Sequence, residues 1–477
     1  MLLLCDPFMK KLPQRLLIVV GALALALPPA SMAQEFFRDF GTSRSSGGIG
    51  PVIPSEYTYE DGSPSGLSPL RPGQELTNVE VAEEEEKYNF ALGPFRMTMA
   101  VGAGLEWNDN IRLSDENRES DFIFRPTADL EARWRISELN TLRFNVQASY
   151  AKYFEHSELD TDGILISPNS ELALTFFVGN IKFTIRDRFS YQEDTYDLPQ
   201  LSGVSKYERY ENQAGIQMDW QINQQLNLAA GYDHYNLWTT QDTFSTQDRA
   251  VDTIYLRPGY QLTPAIKVGL SAAYSWINFD DADRADGNNL MVGPFIEYQL
   301  SEYTNLYLEA GLQNMSYDGG TDFNNSALRE LRLTDEERDA IGDILRETED
   351  DSTSTYYVKF ELQNKPSDVF RHRLSGSKTA EVGFGSNYYD LYHVEYDAEW
   401  KINEKTEMGP VLFYEYYETS GDGGEEAHRY GAAFGVRHHL SNSLTLGLDY
   451  RFLLKESNLE SADYYQNLAL LSLYYKF

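Results

Sequence analysis

The chain ends on NLALLSLYYKF (467–477), an apolar and aromatic run whose side chains alternate in character. In an extended strand, every second residue points to the same side, so Leu471, Leu473, Tyr475 and Phe477 share one face. Terminal residues of soluble domains are usually poorly ordered, because ordering them gains little. A run of this kind at the very end instead predicts a closing strand that pairs with the first strand of a barrel. We expect it to carry an assembly signal, comprising Leu471, Leu473, Tyr475 and Phe477.

The same two-residue period recurs along the chain. PFRMTMAVGAGLEW (94–107), DFIFRPTADLEARWRI (121–136) and IKFTIRDRF (181–189) each place apolar groups on one face and mostly charged or small groups on the other. Short turns such as WQINQQL (220–226) alternate with longer polar connections such as YQEDTYDLPQLSGVSK (191–206). The pattern predicts an all-β fold: one transmembrane antiparallel β-barrel of about 18 strands (roughly 16 to 20), with short periplasmic turns and long extracellular loops.

Composition limits the partners. The 477 residues include 40 basic and 74 acidic side chains, a formal net charge of −34. Such a balance opposes nucleic acid as a partner. The 33 Tyr and 25 Phe suit strands and membrane interfaces.

The chain divides into three segments. Residues 1–33 combine basic residues, the apolar run LLIVVGALALAL (16–27) and a small residue on each side of Met32, which predicts a signal peptide. Residues 34–90 are Gly/Ser/Pro-rich and acidic, and predict a flexible periplasmic extension. Residues 91–477 form the predicted barrel. Within it, 326–351 reads as a helical insert in the longest loop, either constricting the mouth or decorating the surface.

The polar faces of the predicted strands carry many basic residues. The candidates for lining a pore are Arg125, Arg133, Arg135, Lys182, Arg186, Arg188, Arg257, Arg371 and Arg373. One interpretation is an arginine-lined pore for anionic or polyhydroxylated solutes. The other is a network of salt bridges across the lumen that only satisfies buried charges. The sequence leaves both open.

The sequence shows no catalytic motif in a structural context where it could act. We find no nucleophile elbow, zinc-protease or phosphate-loop pattern, so we predict no enzyme and no cofactor. An acidic stretch is a weak candidate for Ca²⁺, through Asp280, Asp281, Asp283 and Asp286. Its spacing misses the helix-loop-helix template, and an acidic surface loop is the interpretation we favour.

One segment carries a family resemblance. GLEWNDNIRLSDENRESDFIFRPTADLEARW (104–134) resembles the opening of the type 2 family of β-barrel porins. Residues 107–111 match an aromatic-x-D/S-N-[IV] box, and Ser120 and Asp121 precede a second strand that contains Pro126. The resemblance implies a porin associated with exopolysaccharide export. It carries no functional residues.

The sequence therefore favours a porin-like channel in the bacterial outer membrane, with exopolysaccharide exit as the finer expectation. The alternative is a non-transporting structural or adhesive barrel with a salt-bridged, closed lumen. Expected partners are outer-membrane lipid and lipopolysaccharide, the barrel-insertion machinery acting on the last strand, and polysaccharide-export proteins.

Overall fold

Alternating side chains build a barrel of eighteen long strands. A computed structural model of the protein describes residues 88–193, 195, 198–281, 284–317, 352–421 and 424–477. The first nine strands are β1 (Phe95–Asn108), β2 (Asp121–Arg135), β3 (Thr141–Ser149), β4 (Glu171–Val178), β5 (Ile181–Gln192), β6 (Arg209–Gln221), β7 (Leu226–Thr239), β8 (Arg249–Thr263) and β9 (Ile266–Phe279). The others are β10 (Gly287–Ser301), β11 (Thr304–Tyr317), β12 (Ser352–Ser367), β13 (Phe370–Val382), β14 (Tyr388–Asn403), β15 (Thr406–Thr419), β16 (Glu426–His439), β17 (Leu444–Ser457) and β18 (Tyr464–Lys476).

The chain closes on itself through its two ends. Neighbouring strands pair antiparallel, and β18 pairs with β1 from Ala100↔Lys476 to Asn108↔Leu468. Two residues join β4 to β5 and β8 to β9, whereas residues 150–170 and 193–208 join strands at the opposite end. We call these the short-turn end and the long-loop end. The predicted strand number, closure and alternation of loop lengths are confirmed.

The two faces of the wall meet different surroundings. Leu471 is 51% exposed and Leu473 is 44% exposed, whereas Leu470 and Ser472 on the inward face are 3% and 2% exposed. Outward Trp, Phe, Leu and Ile side chains from nearly every strand continue this belt. Soluble proteins rarely expose so large an apolar surface. A closed barrel with an apolar belt is the architecture of outer-membrane proteins, because in lipid only closure leaves no backbone edge.

Three predicted segments fall outside the described residues: the leader (1–33), nearly all of the extension (34–90) and the helical insert (326–351). The short strand Phe90–Leu92 pairs with the start of β1. Within the described chain, no helix is long and apolar enough to cross a membrane.

The wall is irregular in one place that matters for the lumen. β12 pairs with β11 from Ser352, at the long-loop end, to Asn364. Its pairing with β13 stops at Val358↔Lys378, although β13 continues to Val382 and stays paired with β14 to that point. The two strands therefore part in the half of the barrel nearer the long loops.

Candidate functional site: the lumen and its constriction

The charged groups of β5 show how inward basic residues are held. Arg186 donates to Asp233 over 2.5 Å, and both side chains are 6% exposed. The two lie on β5 and β7, separated by Gly215 of β6, which is the register partner of both. Arg188, two residues on, pairs with Glu171 at 2.7 Å and is 36% exposed. Glycine at position 215 therefore lets an ion pair reach across a strand.

Further predicted basic residues also have acidic neighbours. Arg125 bonds Glu106 at 2.6 Å. Arg257 lies 3.5 Å from Glu297 and donates to the Tyr307 hydroxyl over 2.9 Å. Lys182 is 3.8 Å from Asp219. These contacts fit the salt-bridge interpretation of the polar face.

β13 carries the densest network. Arg371 binds Glu399. Arg373 contacts three carboxylates, namely Asp397 at 2.6 Å, Glu395 at 3.0 Å and Glu361 at 3.9 Å. Acidic charge exceeds basic charge around Arg373, so this wall attracts cations more than anions.

The opposite wall is more basic. Arg133 of β2 lies between Arg96 of β1 and Arg143 of β3 in the register of the sheet. Arg135 follows it on the same face, is exposed, and sits beside the short-turn end. All nine predicted basic residues thus lie on the inward face, while their role in lining a conducting pore stays a prediction.

An apolar wall, which sequence reasoning missed, lies in the long-loop half of the lumen. Its members are inward residues of β7, β8, β9 and β11, packed with two residues of β13: Tyr235, Leu237, Val251, Ile277, Phe279, Met315, Tyr317, Ala380 and Val382. Most are below 7% exposed. The sequence could have indicated this wall, because the alternation along the strands places the apolar residues 237, 251, 277 and 315 on the otherwise polar inward face. The lumen is therefore packed toward the long loops.

The described residues of the loop 193–208 cross this half of the barrel. It leaves β5 and returns to β6, yet Tyr417 of β15 donates its hydroxyl to the Pro199 carbonyl over 3.0 Å. Ser202 accepts from Lys455 of β17 at 2.9 Å, and its hydroxyl donates to the Ala462 carbonyl. The segment 326–351, for which the sequence leaves constriction of the mouth and decoration of the surface both open, lies outside the described residues. Among the described residues, those of loop 193–208 reach across the lumen.

Phe384, in the 383–387 loop between β13 and β14, is where several loops meet. Its N–H donates to Gln200 Oε1 over 2.6 Å, and its carbonyl accepts from Gln247 Nε2 and Arg284 Nη1. Its ring packs edge-on against Tyr207 and Phe244, with centroids 5.4 and 5.7 Å away. Three separate loops thus hold the tip of this hairpin inside the barrel.

Charges fasten the returning end of the crossing loop. Lys206 lies 3.0 Å from Glu208 and 3.4 Å from Glu193. Burial alone would lower the pKa of Lys206, but these carboxylates raise it above 10.5. Burial also raises the pKa of the Tyr207 hydroxyl to about 12. At neutral pH, Lys206 therefore stays charged and keeps its ion pairs, while the Tyr207 hydroxyl stays neutral.

In the acidic stretch considered for Ca²⁺, one carboxylate and two backbone groups make structural contacts. Asp286 Oδ1 accepts the Phe279 N–H over 2.8 Å, and the Asp281 carbonyl accepts the Arg284 N–H. Asp280 donates its N–H to the Asp248 carbonyl, and Asp283 lies outside the described residues. Within the described ranges, no group of three or more His, Cys, Asp or Glu is placed to hold a metal ion.

Comparison with known proteins finds similarity only among solved structures. No family model matches the chain, and no curated protein matches it. OpdK of Pseudomonas aeruginosa, solved with vanillate, is 10% identical, with 80% of this chain and 99% of that chain covered and a TM-score of 0.42. OccAB1 of Acinetobacter baumannii is 11% identical, covers 83% and 99%, and has a TM-score of 0.43. A loop-deletion mutant of OmpT, an outer membrane protein of Vibrio cholerae, is 10% identical over 80% and 100%, with a TM-score of 0.37. The likeness carries no information on the solute.

Proposed function

We propose that the protein is a porin-like channel of the bacterial outer membrane, entered from the short-turn end and constricted near the long loops. The observation that carries this proposal is the closed barrel itself, with an apolar outward face and an inward face that carries charged side chains. The side chains of Lys182, Arg188 and Arg373 are 31–36% exposed, so water reaches part of the inward face. Other inward charges, such as Arg209 near the long loops and Lys267 beside a short turn, are 1% and 6% exposed.

The charges near the short-turn end support a solute class. Arg96, Arg133 and Arg143 lie side by side in the register, across the lumen from the acidic surroundings of Arg373. Charges in a narrow aqueous lumen bias which ions enter, because the surrounding dielectric is lower than that of bulk water. This arrangement favours small anionic or polyhydroxylated solutes. Exopolysaccharide exit remains a prediction supported by the family resemblance alone.

A second candidate is a non-transporting barrel that serves adhesion or envelope structure. Its support is the packing of the long-loop half, where the apolar wall and loop 193–208 fill the lumen. Paired arginines such as Arg186 also suit a closed lumen.

Conductance separates the two. Refolded protein in planar bilayers should give stable steps if it is a channel, with a preference for anions. Arg133→Glu with Arg143→Glu should move the reversal potential towards cations, and the shift should shrink at 1 M salt, where the Debye length is about 3 Å. Lys365→Glu, an exposed change at the short-turn end of β12, is the control. A folded barrel that never conducts would support the second candidate.

The partners form part of the same proposal. The outward belt would contact lipid and lipopolysaccharide, and the final strand would be recognised by the barrel-insertion machinery. Support for the latter is the outward, 59% exposed ring of Phe477 at the end of the closing strand.

A further inference from the structure

At its long-loop end, β13 is not paired with its neighbour β12. Thr379–Val382 stay paired with β14, but within the described residues their pairing with β12 ends at Lys378. We call residues 379–389, which include the 383–387 loop, the gate ribbon. Among the described residues, Ser352–Tyr357 of β12 pair with β11 only. A strand edge without a partner is a ready template for further pairing.

The gate ribbon is turned into the lumen and held there by a side chain. Gln313, an inward residue of β11, accepts the Ala380 N–H over 2.9 Å and donates to the Ala380 carbonyl over 2.7 Å. These are the backbone groups that a neighbouring strand would satisfy. Ala380 and Val382 are 0% and 4% exposed against the apolar wall. Gln313 therefore replaces β12 as the partner of β13.

A buried lysine marks the point where the strands separate. Lys378 Nζ donates to Thr355 Oγ1 of β12 over 2.6 Å and to Asp390 Oδ1 of β14 over 2.5 Å. Its ammonium lies 5.2 Å from the Tyr356 ring centroid and 5.8 Å from that of Tyr392. Lys378 thus ties the ribbon to β12 at its base while the ribbon end is separate from it.

We propose that the gate ribbon is the movable gate of this lumen, which opens by leaving Gln313 and pairing with the edge of β12 at residues 354–357. This inference rests on the proposed channel function. Continuing the Val358↔Lys378 register gives the pairs of the open state: Tyr357 with Thr379, Tyr356 with Ala380, Thr355 with Glu381 and Ser354 with Val382. Both states satisfy the backbone groups of Ala380, by Gln313 in one and by β12 in the other.

The closed state is the one that the contacts favour at rest. Opening would break the hydrogen bonds of Phe384 to Gln200, Gln247 and Arg284, and would expose the apolar wall to water. Exposed apolar surface is unfavourable in proportion to its area. A solute with an apolar or aromatic body would cover that wall, so we expect such solutes to favour the open state.

Paired cysteines test the movement directly, because Cys5 is the only cysteine of the chain and can be changed to Ser. Gln313→Cys with Ala380→Cys should lock the ribbon inside the lumen when oxidised. Tyr356→Cys with Ala380→Cys should lock it on β12. Leu362→Cys with Leu374→Cys joins residues already paired in the fixed part of the seam and is the matched control. Heat-modifiable electrophoretic mobility establishes that each barrel is folded.

We expect both test pairs to cross-link in the folded barrel. Oxidation of the Tyr356/Ala380 pair should raise single-channel conductance at least about threefold, and reduction should reverse the rise. Oxidation of the Gln313/Ala380 pair should hold conductance at its lowest level, and the control should leave it unchanged. If wild type conducts but the Tyr356/Ala380 pair never cross-links, the gate is refuted and the channel stands. If the pair cross-links but no variant conducts, the ribbon moves and the channel function fails.

Discussion

Arg186 and Arg188 lie two residues apart on the inward face of β5, but their side chains differ in burial. Arg186 and Asp233 are both 6% exposed, whereas Arg188 is 36% exposed beside Glu171. Arg186→Glu would set two carboxylates against each other without water, and should lower the free energy of unfolding by about 3–5 kcal/mol. Arg188→Glu, screened by solvent, should cost about 1 kcal/mol or less. Urea unfolding, followed by heat-modifiable mobility, compares them; equal losses would contradict the burial difference.

Gly215 gives a second prediction at the residue scale. A Cβ at this position would lie 2.1 Å from Asp233 Oδ1 and 2.9 Å from the Tyr232 carbonyl oxygen. Gly215→Ala should therefore displace the Arg186–Asp233 pair and destabilise the barrel by about 1–3 kcal/mol. Gly385→Ala is the matched control, because a Cβ there meets nothing within 4 Å. A barrel as stable as wild type after Gly215→Ala would show that the ion pair can move aside at little cost.

The alternation of side chains along the sequence predicts that Arg186 points inward, but it does not identify the residue with which Arg186 pairs. The partner, Asp233, is 47 residues away and two strands distant, and becomes a neighbour only through the register of both strands with Gly215. A shift of one residue in either register would send the side chain to the other face. Site residues of this kind depend on pairings that a local pattern does not encode.

At the scale of elements, the crossing loop 193–208 depends on charge. Burial raises the pKa of Glu208, but bonds from Thr240 and Lys206 outweigh it and hold that pKa below 4.5. A carboxyl with a lowered pKa stabilises the docked loop above pH 4.5 and loses this effect as the pH falls. The raised pKa of Lys206 makes its contribution complete below pH 10.5 and lost above it.

The loop should therefore loosen in acid. We expect conductance fluctuations to increase as the pH falls below 4.5, and Glu208→Gln to show the increased fluctuations already at pH 7. Glu155→Gln, an exposed change in a neighbouring loop, is the control. If the fluctuations of Glu208→Gln match those of wild type at every pH, the ion pair between Glu208 and Lys206 does not hold the loop in place.

The elements differ in how far the sequence predicts them. Strands follow from the two-residue period, since each must bury one face and present the other to lipid. The inward course of loop 193–208 and of the gate ribbon does not follow from that period. Both are fixed by contacts made across the barrel, such as Tyr417 with Pro199 and Phe384 with Gln200. The apolar wall could have indicated that something covers it, but not which segment.

At the scale of the whole molecule, closure depends on the last strand. β18 pairs with both β17 and β1, and Tyr475 and Phe477 are outward and in edge-on contact at 5.2 Å. Changing both to Ser should leave protease-sensitive protein in the periplasm, because the closing strand loses its aromatic end. Phe434→Ser, an outward aromatic of β16 that is 44% exposed, is the control. A normal heat-modifiable barrel from the double variant would refute a folding signal at the terminus.

Orientation in the membrane is the remaining property of the whole barrel. The sequence predicts short turns in the periplasm, and the two ends offer matched sites for single cysteines after Cys5→Ser. Ser245→Cys lies in an exposed loop at the long-loop end, and Gln224→Cys lies in an exposed turn at the other. A charged maleimide of more than about 1 kDa, too large for a constricted lumen, should label position 245 on intact cells and position 224 only after lysis. Because β6, β7 and β8 connect the two sites through continuous pairing, one orientation fixes the other. Labelling of position 224 but not 245 on intact cells would show that the barrel has the opposite orientation, with the gate ribbon on the periplasmic side.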